Sequence, residues 1–109
     1  MAYDERLAAR VRDLLGDRPG VAERRMFGGL AFLLHGNMAC GVRDDELLVR
    51  VAADASEAAL AEPGTRPFDL PGRPMAGWVL VGAEGYAGDD GLRRWVDRGL
   101  AYAATLPPK

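Results

Sequence analysis

The chain of 109 residues has one cysteine, one histidine and one lysine, and each shortage removes a class of chemistry. A lone Cys40 cannot close an internal disulfide, which fits a reducing compartment. His35 and Cys40 together are too few for a zinc site unless several carboxylates join them. No apolar run approaches the roughly 20 residues of a membrane-spanning helix. The opening stretch MAYDERLAARVRDLL is acidic and amphipathic, unlike a secretory leader, so a cytoplasmic protein with no membrane partner is expected. A basic surplus is missing as well. The formal charge of -2 argues against a dedicated nucleic-acid binder, although local basic patches remain compatible with it.

Phosphate loops and dinucleotide fingerprints are also absent. Gly28-Gly29 and Gly36 are spaced for turns, and no G-x-G-x-x-G opens a helix. The glycine-rich, acidic GAEGYAGDDG lacks the alternating ligands of a calcium loop and reads as a turn and helix cap. Neither a metal nor a cofactor is expected.

What is present is an ordinary globular composition, 49% hydrophobic and 28% charged. A chain of this length folds as one domain, 1–109, and buries roughly two-thirds of its unfolded surface without metals or disulfides. Thirteen of its fourteen basic residues are arginine, and Lys109 is the exception. Codon usage in a GC-rich genome explains such a bias more simply than guanidinium recognition does.

Asp4 is placed to cap a helix running to about Leu15, with Leu7, Val11, Leu14 and Leu15 on one face and Gly16 as the stop. Short strands follow over 21–27, 30–35, 38–42 and 46–51. Gly36-Asn37 is the expected two-residue hairpin turn between the second and third strands. Asp54 with Glu57 reads as a capping pair for a short helix to about Ala61. Residues 62–77 hold four of the seven prolines and read as a long loop of the kind that is often functional. A fifth strand spans 78–81. Asp89 or Asp90 then caps a final helix carrying Leu92, Trp95, Val96, Leu100 and Ala103 on one face. The order helix, four strands, helix, strand, helix predicts an α+β fold. About five mainly antiparallel strands pack with three helices.

With Gly36-Asn37 as the turn, Ala31, Leu33, Cys40 and Val42 share one sheet face, and Leu30, Phe32, Leu34 and Ala39 share the other. Both faces are apolar, while three helices on so small a sheet cover one. Either the proline-rich stretch or a second subunit must cover the other, and a homodimer is the expectation. In the same register His35 and Cys40 share a face but stand roughly 7 Å or more apart, beyond hydrogen-bond reach for a nucleophile pair. No catalytic residues are assigned, and the chain is not expected to be an enzyme.

Two surfaces remain as candidates. Arg24, Arg25, Arg43, Arg50, Arg66 and Arg73 lie in or beside the sheet and the long loop. Converging, they would form a strip for phosphates or for an acidic partner. Apolar stems snorkelling over the surface, or pairing with the sixteen carboxylates, is the plainer reading. Residues 66–78 are the other, where Met75 and Trp78 are soft or amphipathic residues of the sort enriched at interfaces, with Phe27 added to the candidate surface. Phe68, Met75 and Trp78 anchoring the loop onto the core is the plainer reading.

Several of these residues also recur in order as a signature. Arg24 with Met26-Phe27-Gly28-Gly29, Phe32 and Gly36-Asn37-Met38 is followed by Gly41-Val42, Leu48-Val49-Arg50-Val51 and Arg66-Pro67. Gly72-Arg73-Pro74-Met75 then leads into Gly77-Trp78-Val79. In this the chain resembles the TfoX/Sxy N-terminal domain family, named after a regulator of bacterial natural competence. The resemblance runs from the first helix to the last. It implies a compact α+β domain without established enzymatic activity or catalytic residues, and a role in gene regulation through protein contacts, transcription machinery among them. The longer competence regulators carry a second, helical domain after this one. A sequence ending at Lys109 is expected to be a single-domain member.

Overall fold

The computed structural model describes residues 3–26, 28–70 and 73–108, and the side chains of all of these except 26, 69, 70 and 73–76. Helix α1 (Glu5–Leu15) starts where the sequence places it. One carboxylate oxygen of Asp4 accepts the N–H groups of Arg6 at 2.8 Å and Leu7 at 3.2 Å, partnering two donors that the first turn leaves open. Gly16, at φ 55, ends the helix in a backbone region that costs glycine little.

Among the described residues six strands follow rather than five: β1 (Val21–Met26), β2 (Gly29–Leu34), β3 (Asn37–Arg43), β4 (Glu46–Arg50), β5 (Thr65–Leu70) and β6 (Arg73–Val81). They form one sheet in the order β1-β2-β3-β4-β6-β5, with every neighbouring pair antiparallel. A 3-10 turn (Ala53–Ala55) runs into α2 (Ser56–Leu60) between β4 and β5. The short α3 (Ala83–Tyr86) and the long α4 (Asp89–Ala104) close the order. The α+β class stands, with four helices instead of three among the described residues.

The expected loop at 62–77 is therefore largely a hairpin. Its prolines do not prevent this, because β5 is an edge strand. Gly64 and Gly82 form a hydrogen-bonded pair (2.8 Å), and so by alternation Pro67 turns its nitrogen towards the open edge, where no ladder bond is lost. Two expected caps are also absent. Asp54 sits inside the 3-10 turn, and Gly88 caps α4, leaving Asp89 and Asp90 in its first turn near the positive end of the helix dipole.

The central hairpin turns one residue earlier than expected. His35 (φ 52) and Gly36 (φ 85) occupy the turn, both left-handed as a type I′ turn demands. Asn37 instead opens β3 and is 3% exposed, and its amide donates to the Pro107 carbonyl at 2.9 Å. Leu33 then pairs with Met38 but Phe32 with Cys40, so Ala39 is an extra residue in β3. Such a bulge shifts the facing of everything beyond it. Cys40 and Val42 consequently join Leu30, Phe32 and Leu34 on the helix side, not Ala31 and Leu33.

All four helices pack on that one face. Leu7, Val11 and Leu15 of α1, Ala59 of α2, Tyr86 of α3 and Leu92, Trp95, Val96, Leu100 and Ala103 of α4 bury against it. The opposite face carries Ala31, Leu33, Met38, Leu48, Phe68 and Leu80, each at most 8% exposed within the single chain. Phe68 comes from the stretch expected to be a loop, so that stretch contributes to the cover. Among the described residues, the open apolar patch that motivated the expected dimer is not present.

The two layers approach closely at Gly99 in α4. A Cβ built there would lie 2.3 Å from the Ala39 carbonyl oxygen, so only a residue without a side chain lets the helix sit this near the bulge. Gly99→Ala must therefore push α4 off β3, and an overpacking cost of about 2 kcal/mol is expected. Urea unfolding measures it directly. A midpoint unchanged from wild type would mean that helix and strand are not in this contact.

Candidate interaction surface

Register decides which arginines share a face. Arg24 stands opposite Ala31, Arg43 opposite Glu46, Arg50 opposite Trp78 and Arg66 opposite Leu80. All four therefore project from the helix-free face. Arg25 stands opposite Leu30 and projects towards the helix side, so it leaves the expected strip. Phe27 lies outside the described residues, as do the side chains of Arg73 and Met75.

On the helix-free face the guanidinium groups and the rings interleave. Arg43 lies 5.5 Å from the Phe68 ring centroid, and Phe68 and Trp78 are 6.4 Å apart at an interplanar angle of 55°. Arg50 lies 5.1 Å from Trp78 and 5.4 Å from Tyr102 of α4. Such contacts contribute about 0.5–1 kcal/mol each where solvent reaches them, and they leave the positive charge in place. Arg66 is occupied differently. Its Nε donates to Glu46 Oε2 at 2.8 Å, and its Nη2 donates to the other oxygen of the same carboxylate. Arg24, exposed at β1, has no ion pair among the described residues.

Reading 62–77 as a loop hides this row. The alternation Arg66, Phe68 against Thr65, Pro67 is the signal that finds it, because period two puts the guanidinium and the ring on one side. A second arginine cluster lies on the helix side. Glu62 accepts from Arg94 Nη1 at 2.6 Å and Arg98 Nη1 at 2.5 Å, and Arg98 stacks 4.3 Å from the centroid of the buried Trp95 ring. Burial raises the Glu62 carboxyl, but hydrogen bonds and charges from Arg98 and Arg94 outweigh it and hold the group below its ordinary value. The network ties α4 to the segment after α2.

Among the described residues nothing activates a nucleophile. Cys40 is fully buried, and desolvation pushes its thiol up to about 12, far from a reactive thiolate. His35 is exposed on the turn, its ring against Gly20, and does not share the buried site of Cys40. Among the described residues no group of three or more His, Cys, Asp or Glu side chains is placed to hold a metal ion. No described helix is long and apolar enough to cross a membrane. The depressions on the surface are open. One of about 580 Å³ lies between the end of α1 and β1, and one of about 460 Å³ follows the outer side of α4.

The family model of the TfoX N-terminal domain matches residues 13–103, from the middle of α1 almost to the end of α4. The chain belongs to the TfoX N-terminal domain family. No curated protein and no solved structure matches it. The TfoX family is of a regulatory type and is not a known enzyme family. Its match covers all six strands, and so includes every arginine of the helix-free face.

The buried thiol gives a test that is independent of any partner. The folded state keeps the Cys40 proton to about pH 12, whereas an exposed thiol loses it near 9. Between these values the unfolded state binds fewer protons, so stability falls as pH rises through that window and is unaffected below it. Cys40→Ala should reduce this alkaline slope in urea titrations. Alkylation of wild-type Cys40 by iodoacetamide should be at least about a hundredfold slower in the folded than in the unfolded chain. Equal rates would show that the thiol is accessible.

Proposed function

We propose that this chain is a small, non-catalytic regulatory module that works in the cytoplasm through contacts with a protein partner, as a co-regulator of transcription. Its membership of the TfoX N-terminal domain family supports the regulatory part of this reading. The observation that carries the contact is the row on the helix-free face, where Arg43 and Arg50 are stacked on Phe68 and Trp78. Stacking fixes the long side chains before a partner arrives, which lowers the ordering cost of binding. Arginine and tryptophan are also the residue types that dominate binding energy at protein interfaces. An acidic partner surface fits the charge. A homodimer through this face has less support, because its apolar residues are already buried within one chain.

Direct nucleic-acid binding is the second reading, favoured by the same row, since aromatic rings beside cations also receive single strands. Against it, Glu46 neutralises Arg66, and Phe68 is buried rather than free to stack on a base.

Affinity capture from native lysate with mass spectrometry separates the two. Wild type should enrich a specific protein, and the Arg43→Glu, Arg50→Glu double variant should lose it while keeping a cooperative melt. Nothing enriched reproducibly, or the same proteins with both baits, would count against the module. A retarded DNA or RNA band at low salt would favour the second reading, and with three phosphates neutralised on duplex DNA its log–log salt slope would be about -2.7.

A further inference from the structure

The two edges of the sheet are built differently. On β5 the alternation turns Thr65 and Pro67 outward, and Pro67 has no N–H to offer in the middle of that edge. On β1 the outward groups are intact. The His35 N–H donates to the Gly20 carbonyl at 2.8 Å, in register with the pairing of Val21 and Leu34. Hydrogen-bonded and non-hydrogen-bonded pairs alternate along an antiparallel ladder. Ala22 and Arg24 therefore bond inward to β2, while Val21, Glu23 and Arg25 turn their backbone groups to the edge. The Val21 N–H is taken by the Arg18 carbonyl at 3.4 Å. The amides and carbonyls of Glu23 and Arg25 have no partner among the described residues. Residues 22–25 are all exposed.

We propose that the free edge of β1 takes an extended acidic segment of a partner protein as a seventh strand. The proposal rests on the reading that the chain acts through protein contacts, and it assigns those contacts a second surface and a backbone mode. Charge selects the occupant. Arg12 holds Glu23 through bonds of 2.8 and 2.9 Å, so the charges on the strand without an ion pair among the described residues are Arg24 and Arg25. They point to opposite faces, and carboxylates on two adjacent residues of an added strand would meet both.

Beside this edge lies the depression of about 580 Å³ whose lining includes Leu15, Arg18 and Val21. An antiparallel strand, the sense of every other pair in the sheet, would then read acidic, acidic, two unrestricted residues, apolar. The last of these would sit opposite Val21, at the depression.

A second copy of the chain fits poorly. A two-fold axis through the edge sets a residue against itself. Glu23, Arg24 or Arg25 on its own copy places like charges directly opposite, which is destabilising, and Ala22 on Ala22 sets Arg24 opposite Gly20, where no carboxylate meets it. The Arg24 register also brings Glu23 near Arg25, but Arg12 already occupies that carboxylate.

A displayed library of random decapeptides, selected on the full chain, supplies the probe, and amide exchange followed by NMR supplies the site. Selected peptides should carry adjacent acidic residues and an apolar residue three positions after the second of them. They should slow exchange at Glu23 and Arg25, whose amides exchange fast in the free protein. Arg25→Pro removes an outward donor and no ladder bond, so the fold should survive while affinity falls about tenfold. Arg24→Glu with Arg25→Glu should weaken binding at least as much, and added salt should shrink the difference. Peptides that bind without protecting Glu23 and Arg25, or that bind Arg25→Pro as well as wild type, would overturn the edge site. Protection of the same amides by self-association alone would overturn the acidic occupant. A library with no binder would also refute the edge, while a partner captured through Arg43 and Arg50 would leave the module reading standing.

Discussion

The contact of α4 with the bulge in β3 organises the molecule. With no side chain at Gly99, the helix can lie against the Ala39 carbonyl. The adjoining turns of α4 then bring Trp95, Val96, Leu100 and Ala103 onto the strands below. Because protein interiors are close-packed, a helix held even an ångström higher would open voids along its whole length. The bulge matters equally. It turns Cys40 and Val42 towards the helices, giving β3 enough apolar side chains on that face to meet α4. Helix and strand irregularity are two halves of one fit.

Gathering every helix on one side leaves the other side of the sheet to side chains alone. The chain as a whole is slightly acidic, yet four arginines project from this face with Glu46 as the carboxylate that pairs with one of them. The rings of Phe68 and Trp78 separate Arg43 from Arg50 and give each a surface to lie on. The face is therefore positive, partly ordered and covered close to its apolar floor. Overall charge is a poor guide to such a local field. The -2 of the chain says little about what this face attracts.

Elements with strong local signals were legible in the sequence: the Asp4 cap and Gly16 stop of α1, the period-two pattern of β4, and the buried stripe of α4. The errors share a cause, in that long-range fit overruled local preference. Gly36-Asn37 is a good turn dipeptide, but Asn37 is more useful in β3, where its amide reaches Pro107. His35 therefore takes a left-handed conformation that few non-glycine residues adopt. The bulge at Ala39 has no signature in one sequence. The prolines of 62–77 argue for a loop only while the strand is assumed to be central. Of the expected surface, Arg24, Arg43, Arg50, Arg66 and Trp78 are brought to one face and Arg25 is not. Its facing depends on the β1 register, which pairs it with Leu30.

The bond from Asn37 to the Pro107 carbonyl spans 70 positions in sequence, and α4 also belongs to the last fifth of the chain. During synthesis, then, the four consecutive strands of the meander leave the ribosome before the helix that covers them. Such non-local closure slows folding and leaves apolar surface exposed until the late element arrives. Until residues 89–107 are made, the part of the helix side that α4 covers stays open and the Asn37 amide lacks its final acceptor. A nascent chain of this kind stays prone to aggregation until that late clasp forms.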